Sequence, residues 1–252
     1  MGQKFGQHFL VNPGIIARII RDFQPEKSTH VAEIGPGKGA LTKHLRELYS
    51  LTLFEIDPQW VHYWQQAGEH VIAGDVMDAS FIVDGASKQW SLIGNLPYQI
   101  SGPFMAKICA ERAVIPYGWF MMQEEVVRRL AADVGTKERG SLSVWLQRYY
   151  HVALGFRVTK GCFQPPPKVQ SYMMSIRRKD VVLECAHEDV LHQLIRFSFQ
   201  YRRKTMRKIL RQWQSDVIWP QPPFDWSARP ECLTESDFIW VVNQYKKHQE
   251  SS

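Results

Sequence analysis

The chain has 252 residues, 44% hydrophobic and 22% charged, the balance of an ordinary globular protein long enough for one large domain and a small appendage. A formal net charge of +6 is compatible with a polyanionic partner but specifies none. No run approaches the roughly 20 apolar residues of a membrane span, and the four dispersed cysteines (Cys109, Cys162, Cys185, Cys232) have neither CxxC nor zinc-type spacing, so we expect a soluble cytoplasmic protein with reduced thiols, no membrane partner and no metal.

Residues 3–10, Gln-Lys-Phe-Gly-Gln-His-Phe-Leu, form a polar-aromatic arm. Asn12 suits an N-cap and Pro13 the first helical position, and Ile15, Ile16, Ile19 and Ile20 recur at helical spacing. Residues 30–34 read as a strand and Gly35-Pro36-Gly37-Lys38-Gly39 as a turn. A helix over 40–48 follows, whose N-terminal N–H groups would face a polar ligand. That turn alone is a weak signal. It departs from G-x-G-x-x-G, and the acidic Glu33 before it argues against a dinucleotide pyrophosphate.

A second strand, 51–54, ends at Glu55. A carboxylate about 20 residues beyond the first glycine is placed to grip a ribose diol through paired hydrogen bonds. The third strand, 71–75, carries Asp75 at its carboxyl end, where it could accept from an adenine amino group. Asp78 reads as a cap or turn residue. The apolar run Trp90-Ser91-Leu92-Ile93-Gly94 then leads into Asn95-Leu96-Pro97-Tyr98 and a helix, which makes strand, stiff loop and helix. In open α/β sheets chemistry lies at the carboxyl ends of the strands, where this loop would sit.

A strand at 119–122 and helices at 124–132 and 142–149 follow. Val126, Val127 and Leu130 would face the core, with Arg128 and Arg129 pointing elsewhere. Strands at 151–158 and 169–176 flank Phe163-Gln164-Pro165-Pro166-Pro167-Lys168, a stiff segment able to hold Phe163 in a set position. From Glu184 the chain is helical without glycine. Arg196, Arg202, Arg203, Lys204, Arg207, Lys208 and Arg211 occur there with no acid among them and with Phe197, Phe199 and Tyr201 interleaved. A run of this kind is commonly a solvated helix face, but one unrelieved by acids and mixed with aromatics is the footprint of phosphate contacts. Prolines at 220–223 precede a last helix, 235–247. A boundary near Lys179 divides a domain of residues 1–179 from a helical one of 180–252.

Taken in order, Phe5-Gly6-Gln7-His8-Phe9-Leu10, Glu33-Ile34-Gly35-Pro36-Gly37, Glu55, Asp75, Asn95-Leu96-Pro97-Tyr98, residues 163–171 and Arg202-Arg203-Lys204 resemble the rRNA adenine N6,N6-dimethyltransferase family, most closely its bacterial small-subunit (16S) branch. The resemblance implies an α/β, Rossmann-like class I S-adenosylmethionine-dependent methyltransferase domain with a small all-α C-terminal domain that binds RNA through Arg202, Arg203, Lys204 and Arg207. It implies that His8 and Leu10 close over the cofactor, that Gly35 and Gly37 lie beside its methionine part, that Glu55 holds the ribose, that Asp75 holds the adenine amine and that Asn95 forms the rim next to the methyl. Family members often have Asn where this chain has His8, and many have a longer basic arm ahead of Phe5.

The implied reaction explains the loop. An adenine exocyclic amine is a poor nucleophile because its lone pair is delocalised into the ring. The Asn95 side-chain oxygen and the Leu96 carbonyl could accept its hydrogens and aim that lone pair at the methyl sulfonium. Pro97 stiffens the loop, and Tyr98 and Phe163 would hold the flipped base from two faces. The implied partner is small-subunit rRNA within an immature ribosomal subunit, bound by a monomer. Two rivals remain at this level: a large-subunit rRNA adenine methyltransferase of the erythromycin-resistance type, whose members often have Ile at the position of Leu96, and a non-catalytic RNA-binding assembly factor.

Overall fold

The fold centres on a seven-stranded sheet, seen in a computed structural model that describes residues 8–27, 29–82 and 88–251. Residues 5–7 of the arm motif lie outside the described residues. By contact the chain forms two units. One comprises residues up to Val127 together with Tyr150–Arg178, and the other Arg128–Tyr149 together with Lys179–Ser252. The sequence places residues 128–149 in the first domain; contact groups them with the C-terminal helices.

In the first unit, β1 (Phe9–Leu10) leads to α1 (Pro13–Asp22). Asn12 caps α1, its side-chain oxygen accepting from Ile15 N at 3.0 Å, with Pro13 at the first turn as expected. Strand–helix alternation follows: β2 (His30–Ile34), α2 (Thr42–Leu48), β3 (Leu51–Glu55), α3 (Pro58–Gln66), β4 (His70–Ala73), β5 (Trp90–Asn95), α4 (Ser101–Ala110), β6 (Tyr117–Gln123) and α5 (Glu124–Leu130), within which the boundary after Val127 falls. After α6 (Ser141–Tyr149), the chain completes the sheet with β7 (Tyr150–Val158) and β9 (Ser171–Arg178); between them, β8 (Phe163–Gln164) pairs with β1 instead.

The sheet order is β4-β3-β2-β5-β6-β9-β7, parallel from β4 to β6, with β9 and β7 antiparallel. Its parallel strands are near-continuous apolar runs because both faces are covered. Val31, Leu53, Ile93 and Trp119 pack with Ile19, Leu45 and Trp64 on one side. Chain order reverses between β2 and β5, so a crevice opens at their carboxyl ends, where a ligand binds in such sheets. Gly94 permits the close pairing there: a Cβ on it would meet the Ile34 carbonyl oxygen at 2.6 Å.

In the second unit, α6, α7 (Glu188–Gln200), α8 (Met206–Trp213) and α9 (Glu235–Ser251) enclose Leu191, Leu194, Ile209, Leu210, Phe238 and Val241. Arg148 on α6 is 2% exposed, and its guanidinium pairs with Glu188 at 3.0 Å and with Glu235, and donates to the Leu183 carbonyl. The long basic stretch is not one helix. It breaks at residues 201–204, and α8 starts afresh because Met206 N and Arg207 N donate to the carbonyls of Ala228 and Trp226.

Candidate active site

The carboxyl ends of β2 to β5 surround a pocket of about 780 Å³, lined by the arm from His8, the glycine turn, Glu55, Gly74-Asp75, the Asn95–Ile100 loop, Phe163 and Lys168. That size is ample for a small-molecule cofactor. All the residues expected at the cofactor site (His8, Leu10, Gly35, Gly37, Glu55, Asp75 and Asn95) line it, as do Leu96, Pro97, Tyr98 and Phe163.

The turn after β2 is longer than expected. The helix begins at Thr42 rather than at 40, because positive φ at Gly35, Gly37 and Gly39 keeps the chain turning, with Gly39 N bonded to Pro36 O. At Gly37 a side chain would be strained at φ +49 and its Cβ would meet the Phe9 ring at 3.1 Å. Gly37 N is not free for a ligand: it donates to Glu55 Oε2 at 3.0 Å, while Gly37 O accepts from Trp64 Nε1.

Glu55 is 3% exposed, and its other oxygen accepts from Asp57 N at 2.9 Å. Burial raises its pKa, and these backbone donors offset part of the rise. These donors on both oxygens hold the carboxyl in one orientation at the pocket wall. Asp75 Oδ1 accepts from Met77 N, which fixes its carboxyl just past the end of β4.

At the centre, Asn95 Nδ2 donates to the His8 carbonyl at 3.2 Å. That bond settles which way the amide faces, and Oδ1 has no hydrogen-bond partner among the described residues. Leu96 is buried, its N donating to Met121 O, so its side chain anchors the loop. Pro97 O accepts from Ile100 N and Ser101 Oγ. The half-buried Tyr98 places its hydroxyl 3.5 Å from Ser171 Oγ and its ring 6.2 Å from that of His8. His8 Nδ1 donates to the Pro165 carbonyl at 2.9 Å, since a carbonyl can only accept.

Phe163 differs from expectation in what holds it. It pairs across to Leu10 and is 5% exposed within the core cluster, so strand pairing sets its position rather than the prolines that follow it.

Two features escaped the sequence reading. Trp64 supports the glycine turn from α3, and Glu33, noted only as an argument against a dinucleotide, lines the pocket at 3% exposure with Oε2 lacking any partner. An acid at a strand end just before a glycine turn was the available signal. Glu33, Glu55 and Asp75 make the wall rich in carboxyls, and an orphaned buried carboxyl oxygen suits a cationic ligand such as S-adenosylmethionine.

The family model described as ribosomal RNA adenine dimethylase matches residues 1–217. The chain belongs to that family. It is an S-adenosylmethionine-dependent methyltransferase with ribosomal RNA as substrate. Among relatives of this dimethylase, proteins named ribosomal RNA small subunit methyltransferase A are 34% identical over 250 residues in Coxiella burnetii (96% of this chain, 97% of that protein) and 36% over 248 residues in Xylella fastidiosa (95% and 94%). In fold it resembles a dimethyladenosine transferase from Plasmodium falciparum (TM-score 0.79, 24% identity, covering 95% and 98%). It also resembles the 23S rRNA methyltransferase ErmE (TM-score 0.72, 21% identity, covering 94% and 99%).

The expected RNA-binding residues lie around the break between α7 and α8. Arg202 donates to the Lys137 carbonyl, Lys204 to Gln212 while sitting over the Tyr201 ring, and Arg207 lies over the Trp226 ring. Arg203 is exposed and has no such contact among the described residues. Also among the described residues, no helix is long and apolar enough to cross a membrane, and no group of three His, Cys, Asp or Glu could hold a metal.

Proposed function

We propose that this dimethylase transfers methyl groups to N6 of two adjacent adenosines near the 3′ end of small-subunit rRNA, giving N6,N6-dimethyladenosine in an immature subunit. The names and coverage of the bacterial relatives support the small-subunit branch. In this reading the protein acts as a cytoplasmic monomer and needs no metal.

The observation that carries the mechanism is the Asn95 amide, oriented by the His8 carbonyl so that Oδ1 is left to the pocket. Oδ1 and the Leu96 carbonyl accept the hydrogens of the target amine, which turns its lone pair towards the methyl group. Catalysis is then by orientation, with no strong base required. Tyr98 stacks on the flipped base, and Phe163 backs the pocket wall from the core. Glu55 takes the ribose hydroxyls and Asp75 the adenine amine of the cofactor, with His8, Leu10, Gly35 and Gly37 enclosing the rest. The methyl sulfonium supplies the electrophile. In the second unit, Arg202, Arg203, Lys204 and Arg207 contact RNA phosphates.

Purified protein, radiolabelled S-adenosylmethionine and unmethylated small or large ribosomal subunits, followed by nucleoside analysis, test this. Label recovered as N6,N6-dimethyladenosine from small-subunit RNA is expected. Label confined to large-subunit RNA would overturn the branch, and no transfer with cofactor still bound would overturn the enzyme reading of these residues.

A further inference from the structure

Among the described carboxyls of the pocket, Glu33 is the one with a fully buried oxygen, Oε2, that no hydrogen-bond donor reaches. Its setting is hostile to charge. Burial pushes the carboxyl up to about 8, and Glu55 on β3 and Glu69 beyond α3 push the same way. The Thr42 hydroxyl on α2 offsets part of this, though it forms no well-made hydrogen bond. A buried carboxyl facing only like charges stays neutral near neutral pH.

The cofactor changes charge during the reaction. S-adenosylmethionine has a permanent sulfonium beside its ammonium and carboxylate and is net positive. After methyl transfer the sulfur is a thioether and the molecule is net neutral. In a buried site a change of that size acts strongly on a nearby carboxyl.

We propose that Glu33 is a proton-linked counter-charge for the cofactor: it keeps its proton while the pocket lacks a cation, releases it to solvent as S-adenosylmethionine enters, and takes one back once the sulfur is neutral. This rests on the pocket being the cofactor site. Its consequence is preference for fresh over spent cofactor, which serves an enzyme that must exchange cofactor between successive transfers to one nitrogen. The sign follows from which form attracts the cation. Raising pH towards about 8 makes ionised Glu33 easier to reach, so affinity for S-adenosylmethionine rises; above that it levels off. Affinity for S-adenosylhomocysteine lacks this rise.

The pocket also holds His8, Lys38, Asp75 and Lys168. The test must separate Glu33 from these groups, His8 above all. Whole protein is titrated calorimetrically with each cofactor form in buffers of different ionisation enthalpy, from about pH 6 to 9, and protons released are counted. Wild type should release more protons with S-adenosylmethionine than with S-adenosylhomocysteine. The affinity ratio should grow about tenfold for each unit by which the cation lowers the Glu33 pKa.

Glu33→Gln should abolish the excess release and flatten the ratio, while a contribution from His8 would survive it. Equal release for the two forms in wild type, or an excess that persists in Glu33→Gln, overturns the proposal. Absence of binding heat for both forms overturns the pocket assignment, and the proposal with it. Equal release in wild type is enough to overturn the proposal even if the variant does not fold.

Discussion

Two buried ionisable side chains, Arg148 in the helical unit and Glu33 in the sheet unit, are treated in opposite ways. Arg148, in the helical unit, has its charge met by Glu188 and Glu235 and a further N–H by a carbonyl. Glu33, at the carboxyl end of β2, has a buried oxygen with no donor, and the charges that act on it are those of other carboxylates. Burying a charge is costly unless it is paired. The paired one therefore belongs to the architecture of its unit, while the unpaired one stands where a ligand completes the site.

The strongest way to break that contrast is to remove the paired charge. Arg148→Ala strands two carboxylates and should destabilise the helical unit by about 3–5 kcal/mol, read as lost hydrogen-exchange protection in α6, α7 and α9. Unchanged protection would mean that the pairs are decorative. In the pocket, Asn95→Ala should slow methyl transfer by about a hundred- to a thousandfold while cofactor affinity stays within a few-fold. Loss of both in parallel would make Asn95 a cofactor ligand first.

Glu33→Gln should have the opposite sign to Arg148→Ala. The folded protein holds a proton on Glu33 that the unfolded chain sheds above the ordinary value of 4.5, so wild-type stability falls as pH rises from there to about 8. Gln removes that loss, and the variant should gain on wild type by up to about 1.4 kcal/mol per pH unit across the window and no further above it. A constant difference in denaturation free energy across those pH values would contradict the buried proton. The smallest effect concerns the exposed charges. Replacing Arg202, Arg203 and Lys204 by Gln should lower the salt dependence of RNA binding by no more than about two to three in log–log slope. Arg203 should carry the largest share, since Arg202 and Lys204 already have intramolecular partners. An unchanged slope would remove RNA from this face.

Much of this was legible in the chain itself. Asn12-Pro13 marks a helix start, the runs at 30–34, 51–55 and 90–95 mark buried parallel strands, and the glycines of 35–39 force a turn, because these are local properties of backbone and side chain. Once strands alternate with helices in that order, Glu55, Asp75 and Asn95 must share one edge of the sheet, and all three line the pocket. What the sequence could not determine depends on partners far along the chain. The break after α7 is stabilised by carbonyls of Trp226 and Ala228, Phe163 is set by pairing with Leu10, and Arg148 is neutralised by acids 40 and 87 residues away. Likewise, the two glutamates at strand ends, Glu33 and Glu55, look alike in the sequence: only the folded surroundings show that Glu55 has donors on both oxygens and that Glu33 Oε2 is buried with none. Composition and spacing determine which groups reach the sheet edge; tertiary packing decides their solvation and their neighbours, and hence their charge.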